Sequence, residues 1–205
     1  MLKIEVSEMK YLFLVSGPQG SGKSTQAEQL AAVNEAPLFE SGHKLREMVE
    51  RNEPGAREVE QYMEKGELVP HHYVDTLFTE FFARNSSSPI LVSDGYPRNL
   101  PELKIVQRLC SEDNRVVIGV AINLDETTAV ERIIARAQTK TDGDRPDDSP
   151  EAIRQRLNLY HEETVPVLEE LRANHVLLSV DGSGTIEQVT DLMLSLTQSQ
   201  ISDEA

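Results

Sequence analysis

Ten residues near the start of the chain, GPQGSGKSTQ (residues 17–26), combine glycines, a lysine and hydroxyl side chains. They satisfy the pattern G-x-x-x-x-G-K-[ST] through Gly17, Gly22, Lys23 and Ser24. The glycines would let backbone N–H groups approach phosphate oxygens, Lys23 would place a cation over the β- and γ-phosphates, and Ser24 would offer a hydroxyl to Mg²⁺. A flexible turn with a solvated lysine would need one glycine rather than three. The loop therefore predicts binding of a nucleoside triphosphate, and it leaves the phosphate acceptor open.

Three arginines lack a carboxylate at helical spacing, where the partner of a helical arginine usually stands. Arg132 and Arg136 lie four residues apart on one predicted helix, and Arg156 falls beside an apolar stripe on another. Each could pair with a carboxylate that is distant in sequence, but for all three together we favour an anion. Arg46, by contrast, has Glu50 four residues further on, so spacing alone favours an ion pair within the helix.

Short apolar runs alternate with segments of helical periodicity, which predicts a parallel sheet with helices on both faces. The predicted strands are residues 11–16, 36–39, 90–93, 116–124 and 176–180. The predicted helices are residues 22–33, 127–137, 150–173 and 185–196, and residues 197–205 look like a fraying tail. Two segments, residues 41–84 and 138–148, fit the alternation poorly, and we interpret both as insertions. Asp94 and Arg98 follow the third strand, at the sheet edge where open α/β sheets bind ligands.

The bulk composition narrows the class of protein. The chain has 205 residues, a net charge of −15 at pH 7 and one cysteine, Cys110. The negative charge argues against a general nucleic-acid or membrane-surface binder, because such a protein needs a basic face. One cysteine excludes an internal disulfide, and no apolar run approaches the ~20 residues of a membrane span. We therefore expect a cytoplasmic protein built around one sizeable core.

Six motifs in order along the chain resemble those of the adenylate kinase family of nucleoside monophosphate kinases. They are GPQGSGKSTQ, SGHKLRE, KGELVP, DGYPRNLPE, RPDDSPEAIRQRLNLYHEETVPVL and VDGSGTIEQV. The resemblance implies a P-loop NTPase-like three-layer α/β/α fold with a five-stranded parallel sheet, a helical insertion that binds the monophosphate and a short lid. It divides the chain into an N-terminal extension and one kinase domain, residues 1–10 and 11–205. Within that domain it implies a core made of residues 11–40, 85–137 and 149–200. Residues 41–84 would form an acceptor lobe, and residues 138–148 would form a lid.

The resemblance also implies roles for single residues. ATP would be bound by Gly17, Gly20, Ser21, Gly22, Lys23, Ser24, Thr25, Arg132 and Arg136. The monophosphate would be bound by Ser41, Arg46, Glu67, Val69, Gly95, Arg98, Glu102, Arg145 and Arg156. The transferring phosphoryl group would be surrounded by Lys23, Arg98, Arg132, Arg136, Arg145 and Arg156. Mg²⁺ would be held by Ser24 and, through water, by Asp94.

Three residues depart from the family pattern. Ser24 stands where the family commonly has glycine, which makes the loop a more general triphosphate-binding loop. His43 replaces an aspartate associated with the Mg²⁺–water network, so it could weaken metal positioning, bind a phosphate when protonated, or simply be solvated. Glu102 replaces a glutamine whose amide reads adenine, and a carboxylate cannot donate to adenine N1 unless it is protonated. It would suit guanine or the cytosine amino group, or it could instead close a capping box with Asn99.

The leading hypothesis is an ATP:nucleoside monophosphate phosphotransferase, most similar to an adenylate kinase, that makes two ADP from ATP and AMP. The transfer would be in line and Mg²⁺-dependent, in a monomer whose partners are small-molecule nucleotides rather than nucleic acid or a membrane. One alternative keeps the mechanism with GMP, CMP or UMP as acceptor, or with broad specificity. Another is a nucleotide-binding scaffold with weak catalysis, which only His43 favours.

Overall fold

The computed structural model describes residues 9–139 and 150–204, apart from the side chains of residues 136–139, 150 and 203–204. Within these ranges, the strands are β1 Lys10–Ser16, β2 Leu38–Glu40, β3 Ile90–Asp94, β4 Arg115–Asn123 and β5 Leu177–Asp181. They form one sheet in the order β2-β3-β1-β4-β5, and every neighbouring pair is parallel. The predicted five-stranded parallel sheet is therefore confirmed.

Helices connect the strands and cover both faces of the sheet. They are α1 Lys23–Asn34, α2 Ser41–Glu50, α3 Ala56–Glu64, α4 His71–Arg84, α5 Leu100–Glu112, α6 Glu126–Thr139, α7 Pro150–Leu159, α8 Val165–Ala173 and α9 Ile186–Glu204. Residues 41–84, all of which are described, fold as α2, α3 and α4 between β2 and β3. None of the helices in the described ranges is both long enough and apolar enough to span a membrane.

The central strand β1 shows why the fold has three layers. Its residues are apolar in succession, and neighbouring side chains of a strand point to opposite faces of the sheet. Tyr11 and Phe13 pack under α1 and α9 on one face. Leu12 and Leu14 pack under α4, α5 and α8 on the other face. Because both faces are covered, the strand is buried except at its two end residues, and each of its large apolar side chains contributes about 1.5–3 kcal/mol.

The long helix predicted over residues 150–173 is interrupted. A π-helical turn, Tyr160–Thr164, separates α7 from α8, and the N–H of Val165 donates to the carbonyl of Tyr160. Pro166 explains the interruption, because proline has no N–H for the carbonyl four residues earlier and its ring crowds that carbonyl. The prediction of one continuous helix was therefore wrong.

The predicted fraying tail was also wrong, because α9 continues to Glu204. Thr197 is 0% exposed and Ile201 is 2% exposed, and these two residues lie four apart on the buried face of the helix. The Thr197 hydroxyl donates to the carbonyl of Met193 at 3.0 Å, so this polar side chain is satisfied inside the core. The residues around these two are mostly polar, so the sequence showed no apolar pattern of helical periodicity in this segment.

Two predicted segments lie largely outside the described residues. Of the predicted lid, residues 138–148, the first two end α6 and the rest is not described. Of the predicted extension, residues 1–10, only Met9 and Lys10 are described. Lys10 begins β1, and its Nζ lies 2.7 Å from Asp113 Oδ1.

Candidate active site

The glycine loop joins β1 to α1, and its glycines are required by conformation and by close packing. Gly20 and Gly22 have φ values of 87° and 85°, in the left-handed region that side chains disfavour. A Cβ on Gly20 would lie 2.4 Å from the carbonyl oxygen of Ala129, whereas a Cβ on Gly22 would meet nothing within 4 Å. The first turn of α1 has no acidic residue and no side-chain cap, so its N–H groups are not screened by a carboxylate of the same helix.

A cavity of about 490 Å³ opens where β1, β2 and β3 end. Its wall includes most of the residues predicted for the site: Gly17, Gly20, Gly22, Lys23, Ser24, Thr25, Ser41, Arg46, Glu67, Val69, Asp94, Gly95, Arg98, Glu102, Arg132 and Arg156. Ser21 belongs to the same loop but is buried, and its Oγ has no hydrogen-bond partner among the described residues. Arg136 belongs to α6, but its side chain is not described, and Arg145 lies outside the described residues.

Arg98 is held against the cavity wall by the loop that follows β3. Its Nε donates to the carbonyl of Gly95 at 2.8 Å, and its Nη2 donates to Ser41 Oγ at 3.3 Å. Ser41 Oγ in turn donates to the same Gly95 carbonyl at 2.8 Å, while the Arg98 carbonyl accepts from Thr164 Oγ1 at 3.0 Å. Gly95 has φ 72°, and a Cβ there would lie 2.8 Å from Ser41 Oγ. Among the described residues, these contacts use two of the N–H donors of the guanidinium and leave the others for a ligand in the cavity.

Arg132 has partners that the sequence did not indicate. Its Nη1 donates to the carbonyl of Gly182 at 2.9 Å, and its Nη2 donates to the carbonyl of Ser183 at 3.3 Å. These carbonyls belong to the loop between β5 and α9, which holds its own shape through a bond from the Ser183 N–H to Asp181 Oδ1 at 2.9 Å. Within the part of the chain that the structure describes, Arg132 therefore ties this loop to the cavity through carbonyl groups and not through a distant carboxylate. No spacing rule could have found this contact, because about fifty residues separate the partners.

Two carboxylates lie side by side where β2 and β3 end. Glu40 is the register partner of Asp94 in the parallel pair, and both line the cavity. Asp94 is 7% exposed, and its Oδ1 has no hydrogen-bond partner among the described residues. Burial, followed by the charges of Asp94 and Glu28, raises the pKa of Glu40, whereas His43 and Arg46 oppose that shift.

Two acidic residues in the cavity wall were missed by the sequence analysis. Glu40 and Glu28 line the cavity and were not among the predicted site residues. The signal available for Glu40 was its position directly after a short apolar run, as for Asp94. His43, which was singled out in the sequence, also lines the cavity and is exposed.

Glu102 both caps α5 and lines the cavity. Its backbone N–H donates to Asn99 Oδ1 at 2.9 Å, as in a capping box. Its Oε2 accepts from the N–H of Arg98 at 2.6 Å. In the usual capping box this carboxylate accepts from the N–H of the N-cap residue, which here is Asn99, so the bond is shifted by one residue. Glu102 is 4% exposed, and this burial raises its pKa, while the N–H and the charge of Arg98 act in the opposite direction. The two alternatives predicted for Glu102 are therefore compatible, because capping occupies one carboxylate oxygen.

Comparison with known proteins bears on what this site does. The model of the family described as "Adenylate kinase" matches residues 15–176. The adenylate kinase of Thermus thermophilus is 36% identical over 174 residues, which cover 84% of this chain and 89% of that protein. The adenylate kinase of Synechococcus sp. strain RCC307 is 35% identical over 184 residues, 89% of this chain and 96% of that protein. That of Bifidobacterium longum is 32% identical over 183 residues, 89% and 97% of the two chains. The chain belongs to the adenylate kinase family.

Proposed function

We propose that this protein transfers the γ-phosphoryl group of ATP to AMP and so forms two molecules of ADP. The observation that carries the proposal is that one cavity joins the glycine loop and Lys23 to a second group of polar residues around Arg98. A triphosphate donor and a monophosphate acceptor can therefore meet in one cavity. The three relatives described above are named adenylate kinase, which does not favour GMP, CMP or UMP as the main acceptor.

The donor is bound by the glycine loop and the start of α1. The loop N–H groups and Lys23 take the phosphates, because the loop offers donors without side chains in the way. Thr25 and Arg132 lie on the same wall of the cavity. Arg132 holds the loop between β5 and α9 and presents its cationic group to the donor.

The acceptor is bound at the end of the cavity formed by α2, the loop between α3 and α4, and the start of α5. Arg46 and Arg98 take its phosphate, and the free donors of Arg98 allow a two-point contact with phosphate oxygens. Ser41, Gly95, Val69 and Glu67 line this end, and Glu102 faces the base.

The residues at the strand ends fit a hydrated Mg²⁺. This ion is commonly bound by one or two carboxylates together with substrate phosphates, and it keeps several waters. Asp94 presents a buried oxygen without a hydrogen-bond partner among the described residues, and Ser24 presents a hydroxyl on the same cavity. No group of three or more His, Cys, Asp or Glu side chains within the described ranges could hold a metal ion by itself, which is compatible with coordination completed by phosphate and water. When bound, Mg²⁺ would neutralise charge on the β- and γ-phosphates.

The protein's own part in the transfer is alignment and charge neutralisation. A loose transition state for phosphoryl transfer needs both more than it needs a general base. Lys23, Arg98, Arg132 and Arg156 supply positive charge around the cavity. Two further arginines, Arg136 and Arg145, complete this set in our proposal.

The division into a kinase core, an acceptor lobe (residues 41–84) and a lid (residues 138–148) is part of the same proposal. Covering the site during transfer would keep water from taking the γ-phosphoryl group. We further propose that the enzyme works in the cytoplasm as a monomer on small nucleotides rather than on nucleic acid or a membrane. Analytical ultracentrifugation with and without nucleotide tests the monomer.

A coupled assay that detects ADP tests the activity, with ATP, Mg²⁺ and each of AMP, GMP, CMP and UMP in turn. We expect AMP to be the best acceptor, and two adenosines joined by five phosphates to inhibit strongly. Lys23→Ala should lower kcat at least about a hundredfold, because a charged donor to the transferring group is lost. The matched control is Lys104→Ala, which removes an exposed lysine of α5. ATP binding without transfer to any monophosphate would refute the proposal and favour the scaffold.

A further inference from the structure

The ends of β2 and β3 place two acidic side chains next to each other. Glu40 and Asp94 are register partners on neighbouring parallel strands, which lie about 4.8 Å apart. Partners in a parallel pair point to the same face, and here both line the cavity beside Lys23 and Ser24. Their proximity is a consequence of the sheet, because fifty-four positions separate them in the chain.

The pair combines two acidic side chains with a buried carboxylate oxygen that lacks a hydrogen-bond donor among the described residues. Asp94 is more than nine-tenths buried, and its Oδ1 has no hydrogen-bond partner among the described residues. Two neighbouring carboxylates repel each other unless a cation or a proton lies between them. The arrangement therefore favours a positively charged ligand at the strand ends.

We propose that Glu40 acts with Asp94 to hold the hydrated Mg²⁺ of the ATP complex, so that Glu40 is a metal-positioning residue. The inference rests on the proposed function and goes beyond it, since Asp94 and Ser24 alone were assigned to the metal there. A second carboxylate completes the oxygen set that Mg²⁺ uses, in which waters fill the positions that protein and phosphate leave open. Phosphate oxygens of the donor, bound by the glycine loop and Lys23, would supply further ligands.

The neighbouring side chains support Glu40 rather than His43 in this role. His43 is exposed and can bring only a neutral or a positive ring, so it adds no charge that attracts a cation. Glu28 lies on α1 and lines the same cavity, but it is not part of the register pair. It therefore provides a control for any general effect of removing one negative charge from the cavity.

The test measures metal dependence of nucleotide binding rather than turnover. A non-hydrolysable ATP analogue is titrated into the protein by calorimetry at a series of Mg²⁺ concentrations, with wild type, Glu40→Gln and Glu28→Gln. Glutamine keeps the shape of glutamate and removes its charge. We expect Glu40→Gln to raise the Mg²⁺ concentration needed for half-maximal tightening about tenfold, which corresponds to about 1.4 kcal/mol. Binding of the analogue without metal should be unchanged or tighter, and Glu28→Gln should stay within about twofold of wild type in its metal dependence.

Additional measurements separate the possible failures. Binding of Mn²⁺ followed by electron paramagnetic resonance should weaken in Glu40→Gln and recover in part in Glu40→Asp, which keeps the charge, and circular dichroism verifies folding. Equal shifts in Glu40→Gln and Glu28→Gln would show a general charge effect and overturn the proposal. An unchanged Glu40→Gln would overturn it as well, because a protonated Glu40 would behave in that way. A wild-type protein that binds no ATP analogue would refute the proposed function itself, and the role of Glu40 with it.

Discussion

The substitution Glu102→Gln tests how strictly the site selects its acceptor base. Glu102 is buried at the start of α5, where its Oε2 accepts from the Arg98 N–H at 2.6 Å. Glutamine has nearly the same shape, and its carbonyl oxygen can accept the same bond. The amide nitrogen then brings N–H donors into the cavity, where the carboxylate had only acceptors. The change therefore alters hydrogen-bond polarity while it preserves the local structure.

The size of the effect follows from that polarity. An ionised carboxylate cannot donate to N1 of adenine, whereas it can accept from the N–H groups of guanine. A mismatched hydrogen bond in a buried site costs about 1–3 kcal/mol, or about ten- to a hundredfold in kcat/KM. We expect Glu102→Gln to raise the ratio of kcat/KM for AMP to that for GMP at least about tenfold. The exposed variant Glu112→Gln, further along the same helix, should leave the ratio unchanged.

The pH dependence gives an independent test of the same reasoning. Burial raises the pKa of Glu102, although the N–H and the charge of Arg98 oppose the shift. A protonated carboxyl group can donate, so the AMP preference of the wild type should increase as the pH falls towards that raised pKa. The variant should show no such trend, because glutamine does not titrate.

Stability should follow the same titration. The folded protein binds the Glu102 proton more readily than the unfolded chain, so this group favours folding below its unfolded pKa and loses that contribution as the pH rises through the folded pKa. The thermal unfolding midpoint of Glu102→Gln should therefore exceed that of wild type at neutral pH, and the difference should shrink on acidification. Initial rates with AMP, GMP, CMP and UMP decide the main point. If the ratio of kcat/KM for AMP to that for GMP is the same in wild type and variant, Glu102 does not read the base.

Two further substitutions test the framework around the site. Asp113→Asn should cost about 2 kcal/mol at neutral pH in chemical denaturation, because the Arg115 side chain is 0% exposed and loses its carboxylate partner. Burial acts to raise the pKa of Asp113, but hydrogen bonds that include one from Arg115 hold it below its usual value. The cost of Asp113→Asn should therefore disappear as the pH falls below about 3.9. A cost that is the same at every pH would contradict this role of Asp113. Gly20→Ala should destabilise the protein by about 2–4 kcal/mol, because it adds a clash with the Ala129 carbonyl to the left-handed strain. Gly22→Ala has the strain without the clash and should cost about 1–2 kcal/mol, so equal midpoints for the two variants would show that close packing is not decisive.

Much of the fold could be predicted because its signals are local. The apolar run of β1 and the glycines that follow it are consecutive in the chain, and their meaning depends on neighbours within a few residues. The same holds for the Asn99 cap of α5, which the order of residues 99–102 predicted. Local signals failed at Pro166 and at Thr197, because a π-helical turn and a buried polar side chain depend on what packs against them.

The sequence by itself determined the phosphate-binding loop and the parallel sheet, and it indicated many of the residues that line the cavity. Only the tertiary structure decided how these residues are paired. Arg132 donates to the Gly182 carbonyl, which belongs to a loop fifty residues away, and Glu40 meets Asp94 through strand register. The physical reason is that a parallel sheet joins strands whose separation in sequence is set by long connections, so such contacts have no spacing that a sequence pattern could reveal.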